Sequence, residues 1–304
     1  MNNKTFLLGV GFNKLTIKEV LEFIKKGLEK KEKKYYIVTP NPEILVIAHD
    51  NHNYKKVLNE AKLALPDGIG IMIAAKLLSK DLKERIPGVD LVESICKEVS
   101  KQPITVGFLG SGPHVAEIAA DCLREKYPGL DVVFTAEEWG QVLSNQFNLL
   151  DREKIFSAKK QSSDHLQSTG DNSFSVLDNT QSKQRENSDL PDVANSKQFL
   201  FDKKNGNNQL LNGKEKIDIL FVAFGSPKQE IWISENLEKL PVKVAIGVGG
   251  AFDFISGKVP RAPKVLRSLG LEWLFRLIVQ PWRIKRQLKL LKFIYLVIKE
   301  KLIK

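Results

Sequence analysis

Short apolar runs alternate with segments of helical spacing along most of the chain. The apolar runs have the lengths of buried strands and lie at 6–10, 35–38, 104–109, 131–134, 217–224 and 242–248. Between them, apolar residues recur every three or four positions, which predicts helices at 16–30, 43–49, 54–61, 69–78, 114–127 and 228–237. The run at 219–224 is apolar at every position, as expected when helices cover both faces of a sheet. The pattern therefore predicts an α/β fold with a doubly wound, mostly parallel sheet.

Boundary residues support several of these elements. Thr16 precedes the first helix and Glu19 follows three positions later, which is the spacing of a capping box. Pro40 and Pro42 end the second strand, because proline and the residue before it do not continue regular structure easily. The turn at 65–68 then opens another helix.

Residues 157–213 break the alternation. Of these 57 residues, 35 are Ser, Asn, Gln, Asp or Lys, and the few apolar residues follow no period. Such a segment cannot bury enough apolar surface to offset the entropy of ordering it. We expect a disordered, polar low-complexity insertion that interrupts a core domain at 1–257.

The last segment, 258–304, is basic and amphipathic. It holds 13 basic and 2 acidic residues, so the entire net charge of +11 lies there. Apolar residues recur at spacings of three and four at Ile284, Leu288, Leu291, Tyr295, Ile298 and Leu302. We expect a C-terminal amphipathic helical appendage that docks on an anionic membrane surface, with Trp273 and Trp282 near headgroup depth. Packing of this stripe on the protein's own core or on a second copy is the alternative, and a homo-oligomer is left open.

Composition and cysteine content narrow the class of protein. The chain has 304 residues, of which 42% are hydrophobic and 27% charged, so a peptide-sized scaffold, a wholly disordered chain and a multi-span membrane protein are excluded. Cys96 and Cys122 lie in helix-like segments and cannot form a disulfide framework, so we expect reduced core thiols and the cytosol. Residues 1–8 lack the pattern of a secretory signal, and no apolar run reaches the ~18 residues that span a bilayer.

Glycines mark two predicted strand ends, the places where open α/β sheets bind ligands. Gly110, Ser111 and Gly112 follow one strand, and Gly249 and Gly250 follow another. Backbone without side chains lets a phosphate or ribose approach, although glycine also serves ordinary turn geometry. The run at 107–112 lacks the G-x-G-x-x-G spacing of dinucleotide-binding folds, which argues against NAD.

Polar candidates lie in other loops, and most of them have an ordinary structural alternative. Thr39 and Asn41 end a strand. Asp67 lies in a rigid turn, where its ordinary role would be to cap the next helix. Arg85 would otherwise be a surface arginine, and Gln229 would be a first-turn helix residue facing water.

Four motifs occur in order along the chain: Pro-Asp-Gly-Ile-Gly at 66–70, Arg-x-Pro-Gly-x-Asp at 85–90, Gly-Ser-Pro-Lys-Gln-Glu at 225–230 and Gly-Gly-Ala-Phe-Asp-Phe at 249–254. With this combination the chain resembles the WecG/TagA/CpsF glycosyltransferases. The tail, from Arg-Ala-Pro at 261–263 to Pro-Trp-Arg at 281–283, is also similar to that family. The resemblance covers about 5–156 and 214–300 and leaves out the polar insertion.

The resemblance implies inverting transfer of an N-acetylmannosamine-type sugar from a UDP donor to polyprenyl-diphosphate-linked N-acetylglucosamine, in the synthesis of a cell-surface polymer. By this resemblance the general base falls on Asp67. The active-site polar residues fall on Thr39, Asn41, Arg85 and Gln229, and the arginines that complete the site fall on Arg276, Arg283 and Arg286. The loop and motif residues expected to contact substrate are Gly110, Ser111, Gly225, Gly249, Gly250 and Asp253.

The chemistry of inverting transfer is compatible with these residues. A base must take the proton of the acceptor hydroxyl as it attacks from the face opposite the leaving UDP. The departing diphosphate needs a metal ion or positioned cations. The sequence has no Asp-x-Asp pair, and His49 and His52 fit a helix-end pair, so we expect arginine as the electrophile and neither metal nor cofactor. Pro281 should break or kink the helix that would otherwise place the three arginines on one face.

A polyprenyl-linked acceptor stays in the bilayer, so we expect a cytoplasmic enzyme bound peripherally to the inner face of the cell membrane. Two other classes of function stay open at this point. A nucleic-acid-binding protein would use the basic tail, but the sequence has no recognition motif and we expect no nucleic acid partner. A UDP-sugar-binding scaffold without catalysis would fit if Asp67 and the arginines were dispensable.

Overall fold

The computed structural model describes residues 4–30, 33–138 and 216–303, except for the side chains at 283 and 285–287. The insertion predicted at 157–213 lies outside the described residues, so that expectation stays a prediction.

Within the described residues, the strands form one hairpin and one parallel sheet. Strands β1 (Lys4–Leu7) and β2 (Val10–Asn13) pair antiparallel. The central sheet contains β3 (Tyr35–Val38), β4 (Leu63–Ala64), β5 (Thr105–Gly110), β6 (Asp131–Ala136), β7 (Ile217–Ala223) and β8 (Val242–Gly247). Its six strands run in the order β4-β3-β8-β7-β5-β6, and each neighbouring pair is parallel. The predicted α/β architecture is confirmed.

Helices connect and flank these strands. They are α1 (Ile17–Glu29), α2 (Pro42–Asp50), α3 (His52–Glu60), α4 (Ile69–Leu77), α5 (Gly88–Val99), α6 (Val115–Lys126), α7 (Lys228–Asn236), α8 (Ala251–Ile255), α9 (Lys264–Ser268), α10 (Glu272–Val279) and α11 (Ile284–Ile303). The helices predicted from the apolar spacing end within two residues of the observed bounds. Short 3-10 turns lie at Leu237–Lys239 and Pro281–Arg283.

The capping box predicted before α1 is present. The Glu19 backbone N–H donates to Thr16 Oγ1 over 3.3 Å, and the Thr16 N–H donates to Glu19 Oε2 over 2.7 Å. Two backbone groups at the helix end are thereby satisfied without help from distant residues.

The single strand predicted at 6–10 is wrong. Leu8 and Gly9 adopt left-handed backbone angles, with φ of 48° and 80°, and turn the chain between β1 and β2. Leu7 and Val10 on either side of the turn are both fully buried. The apolar run therefore continues across the turn, and its pattern did not indicate one. The spacing of apolar residues also did not predict β4, which has only two residues, or the bounds of α5.

The core lies between the sheet and its helices. Phe108 of β5, Phe221 of β7 and Phe252 of α8 are each fully buried. The ring of Phe108 lies 5.3 Å from that of Phe221 and 5.2 Å from that of Phe252. Cys96 in α5 is buried and free, and Cys122 in α6 is half-buried and free, as expected for reduced thiols.

The last helix, α11, packs on the core with a different face from the one the spacing singled out. Among its described side chains, the buried ones are Phe293, Leu296 and Val297, each at most 6% exposed. Lys289 and Lys292 pair with Glu43 and Asp50 of α2 at 3.1 and 2.7 Å. The alternative in which the predicted stripe packs on the protein's own core is therefore wrong for this structure.

That stripe lies on the surface of the described structure instead. Its members, between 46% and 80% exposed, are Ile284, Leu288, Leu291, Tyr295, Ile298 and Leu302. We call these residues the exposed stripe. Among the described helices, none is both long and apolar enough to cross a membrane.

Candidate functional site

Loops from five parallel strands meet at the carboxyl edge of the sheet. The register aligns Val38 with Ala64, Val222 with Gly247 and Gly110 with Ala223, so the strand ends are nearly level. The connection after β5 leads to β6 on one side, whereas the connection after β7 leads to β8 on the other. Loops that diverge in this way leave a crevice above the strand ends, which is the usual ligand site of such sheets.

Asp67 lies in the loop after β4. Its backbone N–H donates to Pro40 O over 3.1 Å, which joins this loop to the one after β3. The residue that caps α4 is Gly68, with φ of 94° and no side-chain cap hydrogen bond. The capping role considered for Asp67 is therefore wrong, and its carboxylate instead accepts the Gly88 N–H at the start of α5.

The surroundings of Asp67 change its acidity. Burial raises the pKa of its carboxyl group to about 7, and the negative charges of Glu272 and Asp90 add to the increase. The Gly88 N–H and the Arg85 guanidinium act in the opposite direction. A carboxyl group with a pKa near the operating pH can accept a proton in one step and lose it in the next.

Charged residues form a cluster around this carboxyl group. Arg261 pairs with Asp90 and also with Glu272, the latter at 3.3 Å. Arg85 is half-buried rather than a surface arginine, and its Nη2 donates to Arg267 O over 2.9 Å. The motifs contained Asp90, Arg261 and Glu272, but nothing in the sequence showed that these three would meet.

Gln229 and Thr39 support the loop after β8. Gln229 is 1% exposed, so the alternative of a water-facing residue is wrong. Its Oε1 accepts the Gly249 N–H over 3.0 Å. Thr39 Oγ1 donates to Gly247 O over 3.0 Å. In this state both side chains hold the glycine loop in place, and direct contact with substrate stays a prediction for them.

Glu230 is a buried acid that ends one of the four motifs but was not among the predicted site residues. It is fully buried and accepts hydrogen bonds from Tyr54 Oη at 2.9 Å, Ser226 Oγ at 2.7 Å and Gln229 Nε2 at 2.7 Å. Burial raises the pKa of this carboxyl group. Through these bonds Glu230 connects the loop after β7 to the residue that holds Gly249.

Arg276 brings a guanidinium from the tail to the same glycine loop. Its Nη2 lies 3.1 Å from where a Cβ on Gly250 would be, so a side chain at 250 would crowd it. The guanidinium also pairs with Asp253 at 3.7 Å and lies 4.6 Å from the centre of the Phe254 ring. Three predicted site residues, Gly250, Asp253 and Arg276, are therefore neighbours.

The loop after β5 approaches its neighbour closely. Gly110 has φ of 108°, and a Cβ there would lie 2.8 Å from the Ala223 carbonyl carbon, so only glycine fits. The Ser111 N–H donates to Ala223 O over 3.0 Å. Lys258 Nζ lies 3.0 Å from where a Cβ on Gly112 would be. This loop therefore has a cation of the basic tail beside it, and Lys258 was not among the predicted site residues.

The remaining predicted residues have varied outcomes. Asn41 caps α2 by accepting the Ile44 N–H over 3.0 Å. Gly225 has φ of 77° and open space around its Cβ position. The side chains of Arg283 and Arg286 lie outside the described residues. The break expected at Pro281 is confirmed, because α10 ends at Val279 and α11 begins at Ile284.

Across 4–30, 33–138 and 216–303, no three or more His, Cys, Asp or Glu side chains are grouped so that they could hold a metal ion. His49 lies in the last turn of α2 and His52 begins α3, which is the helix-end pair expected for them.

Comparison with known proteins gives consistent matches. The model of a family described as "Glycosyl transferase WecG/TagA/CpsF family" matches residues 5–159 and 183–304, which include every loop of the site. A protein of Bacillus spizizenii named N-acetylglucosaminyldiphosphoundecaprenol N-acetyl-beta-D-mannosaminyltransferase is 30% identical over 264 residues, 87% of this chain and 79% of that protein. A protein of the same name from Staphylococcus aureus is 27% identical over 299 residues, 98% of this chain and 93% of that protein.

Proposed function

The chain belongs to the glycosyl transferase WecG/TagA/CpsF family, and on that premise we propose that it transfers N-acetylmannosamine, with inversion, from a UDP donor to N-acetylglucosamine on undecaprenyl diphosphate. The names of the two relatives supply the sugar and the acceptor. The resemblance in the motifs supplies the UDP donor and the inversion. The product would serve the synthesis of a cell-surface polymer of the teichoic-acid linkage type.

The observation that carries this proposal is the position and acidity of Asp67. Its carboxyl group lies in the loop after β4, at the carboxyl edge of a parallel sheet, and burial raises its pKa to about 7. A general base needs this combination, since it must be ionised before attack and must hold the proton afterwards.

The proposed reaction is a single displacement. Asp67 takes the proton of the acceptor hydroxyl while the oxygen forms a bond to the anomeric carbon of the donor sugar. The bond from that carbon to the diphosphate breaks, and its electron pair leaves with UDP. Attack from the face opposite the leaving group inverts the anomeric carbon.

Cations supplied by the protein would stabilise the departing diphosphate. Arg276 lies beside Gly250, and Lys258 lies beside the loop at 110–112. Both positions adjoin backbone that presents no side chain to a phosphate. Positioned cations stabilise charge that develops in the transition state, so we propose that the transfer requires no metal ion.

The proposed acceptor also gives the tail a role. Undecaprenyl diphosphate is held in the bilayer, so the site has to reach the membrane surface. The exposed stripe is apolar and lies in a segment that carries the whole net charge of the chain. A basic amphipathic helix of this kind binds an anionic lipid interface. We propose a cytoplasmic enzyme docked peripherally on the inner face of the cell membrane.

A UDP-release assay tests the proposed reaction. The purified full chain should release UDP from UDP-N-acetylmannosamine only when a short-chain N-acetylglucosaminyl diphosphate lipid is present, and more slowly from UDP-N-acetylglucosamine or UDP-glucose. Activity should be retained in excess EDTA, because Arg276 and Lys258 take the place of a metal ion. Loss of activity in EDTA would overturn the metal-free part of the proposal. Absence of turnover with every donor, together with tight UDP binding, would favour the scaffold function.

The exposed stripe can be tested separately from the chemistry. In a Leu288→Gln/Leu291→Gln variant we expect partition onto anionic liposomes to fall at least about tenfold, since burying one leucine contributes about 1.5 kcal/mol or more. Sedimentation with phosphatidylglycerol vesicles measures this. Ile118→Gln, which changes a residue 46% exposed on α6, is the matched control and should sediment like wild type. If liposome binding were unchanged and a dimer were lost instead, the stripe would be the interface with a second copy.

A further inference from the structure

Arg261 joins two acidic residues that come from distant parts of the chain. Its Nη2 donates to Asp90 Oδ1, and its Nε donates to Glu272 Oε1 over 3.3 Å. The side chains of Arg261 and Glu272 are only 17% and 19% exposed, whereas that of Asp90 is 44% exposed. A partly buried arginine that pairs with two carboxylates through different nitrogens is held in one orientation by its planar guanidinium.

The two acids belong to the helices that carry the rest of the site. Asp90 lies in the first turn of α5, and the first residue of that helix, Gly88, donates its N–H to the Asp67 carboxylate. Glu272 is the first residue of α10, and Arg276 lies one turn later in the same helix. Arg261 therefore connects the helix that holds Asp67 to the helix that carries Arg276.

The backbone around Arg261 is also anchored. Its neighbours Val259 and Ala262 are 6% and 2% exposed, and the Val259 N–H donates to Asp253 O over 2.9 Å. The segment is thus tied by its backbone to α8, which follows the glycine loop, and by the Arg261 side chain to the first residue of α10. Rotation of the Arg261 side chain away from Asp90 and Glu272 would leave two carboxylates near each other without a cation between them.

We propose that Arg261 is a positioning residue for the sugar transfer, which joins α5 to α10 through Asp90 and Glu272 and so sets Asp67 and Arg276 in their working arrangement. This inference rests on the proposed function, because it assigns a role within that reaction. It adds a residue that neither donates a proton nor touches the diphosphate. Its effect reaches the reaction through the residues it holds.

The charges around Asp67 predict how the reaction responds to pH. The charged groups facing its carboxyl group are Glu272, Asp90 and Arg85. Glu272 and Asp90 favour the protonated form of Asp67, and Arg261 partly neutralises both of them. Without Arg261, the two carboxylates lose their shared cation and act more strongly on Asp67, against Arg85 and the Gly88 N–H alone, so ionisation of Asp67 requires a higher pH.

The experiment compares wild type with Arg261→Gln and Arg261→Lys in the UDP-release assay. For Arg261→Gln we expect kcat to fall about tenfold or more near neutral pH, since small displacements of catalytic groups cost up to about 100-fold. KM for the donor should change much less. The acidic limb of the pH–kcat profile should move about one unit to higher pH. At any pH on this limb, kcat is then about tenfold lower than in wild type. Arg261→Lys keeps the charge without the double bridge, and should restore the limb but not the full kcat.

Arg124→Gln is the matched control. Arg124 is also a partly buried arginine, 26% exposed, that pairs with Asp121 at 2.9 Å and donates to Val132 O at 2.8 Å, in α6. Its replacement should leave kcat and the acidic limb unchanged. If Arg261→Gln behaved like Arg124→Gln, or lowered kcat equally at every pH, the positioning role would be overturned.

A titration without catalysis separates this inference from the proposed function. The carboxyl carbon of Asp67 can be followed by NMR in full-length protein labelled at aspartate, with Asp67→Asn identifying the signal. We expect its midpoint to rise in Arg261→Gln and to stay unchanged in Arg124→Gln. If the midpoint rises in Arg261→Gln but the wild-type protein transfers no sugar, only the proposed function is contradicted. An unshifted midpoint in a folded, active protein would contradict the inference alone.

Discussion

Replacement of Asp67 by asparagine is expected to lower kcat by at least about 100-fold, the lower range for loss of a positioned general base. Asparagine has nearly the same shape and can still accept the Gly88 N–H, but it cannot take a proton from the acceptor hydroxyl. KM for the donor should change little, because the proposed role of Asp67 is in the transition state. Initial rates of UDP release with the lipid-linked acceptor measure both quantities.

The wild-type pH profile belongs to the same prediction. Since Asp67 acts as a base only when ionised, kcat should rise with pH through about 7, the pKa to which burial raises this carboxyl group. The residual activity of Asp67→Asn should lack that limb. A wild-type rate that is flat from pH 5.5 to 8.5 would remove Asp67 from the role of base.

Stability measurements distinguish loss of the base from loss of the fold. Folded Asp67 keeps its proton at pH values where the unfolded chain has already released it, so its contribution to stability falls as pH rises toward about 7. Asparagine does not ionise and so avoids the cost of a buried charge. At pH 8 the free energy of unfolding of the variant should be no lower than that of wild type. Asp81→Asn, whose side chain is 76% exposed, is the control and should retain full activity.

Arg276→Ala should lower kcat by about 100- to 1,000-fold, the range for removing one preorganised group that stabilises developing charge. The guanidinium is positioned by Asp253 and the face of Phe254 beside Gly250, where no side chain separates it from an approaching phosphate. Its removal leaves the departing diphosphate with less positive charge. The measurement is kcat for UDP release at saturating donor.

Two further variants make this test specific. Arg276→Lys should recover part of the lost rate, because it restores the charge but not the planar stacking on Phe254. Arg124→Gln should be unaffected, because that guanidinium pairs with Asp121 and donates to Val132 O. If Arg276→Ala raised KM and left kcat unchanged, Arg276 would serve ground-state binding rather than the departure of UDP.

The sheet and most helices could be predicted from the sequence because their causes are local. The strand at 219–224 is apolar at every position, and Thr16 with Glu19 contains the whole capping box that begins α1. The hairpin of β1 and β2 could not be predicted, because its turn at Leu8 and Gly9 interrupts an apolar run without changing its polarity. The two-residue strand β4 exists only because β3 offers it a partner.

The last helix shows where periodicity alone is insufficient. Its spacing identified an apolar stripe correctly, but α11 has a second apolar set in Phe293, Leu296 and Val297. The choice of which set is buried depends on the shape of α2 and on the positions of Glu43 and Asp50. A pattern along one helix contains no information about those partners.

By itself, the sequence determined the fold class, the loops that end the strands and, through its motifs, the candidate base and the tail arginine. Only the tertiary structure decided that Gln229 is buried behind Gly249, that Arg276 lies over Gly250, and that Arg261 joins Asp90 to Glu272. These pairs are separated by 11 to 171 positions. Contacts of that kind, and the raised pKa of Asp67, arise from chain segments that meet only after the sheet has formed, whereas apolar spacing and caps act between neighbours in the sequence.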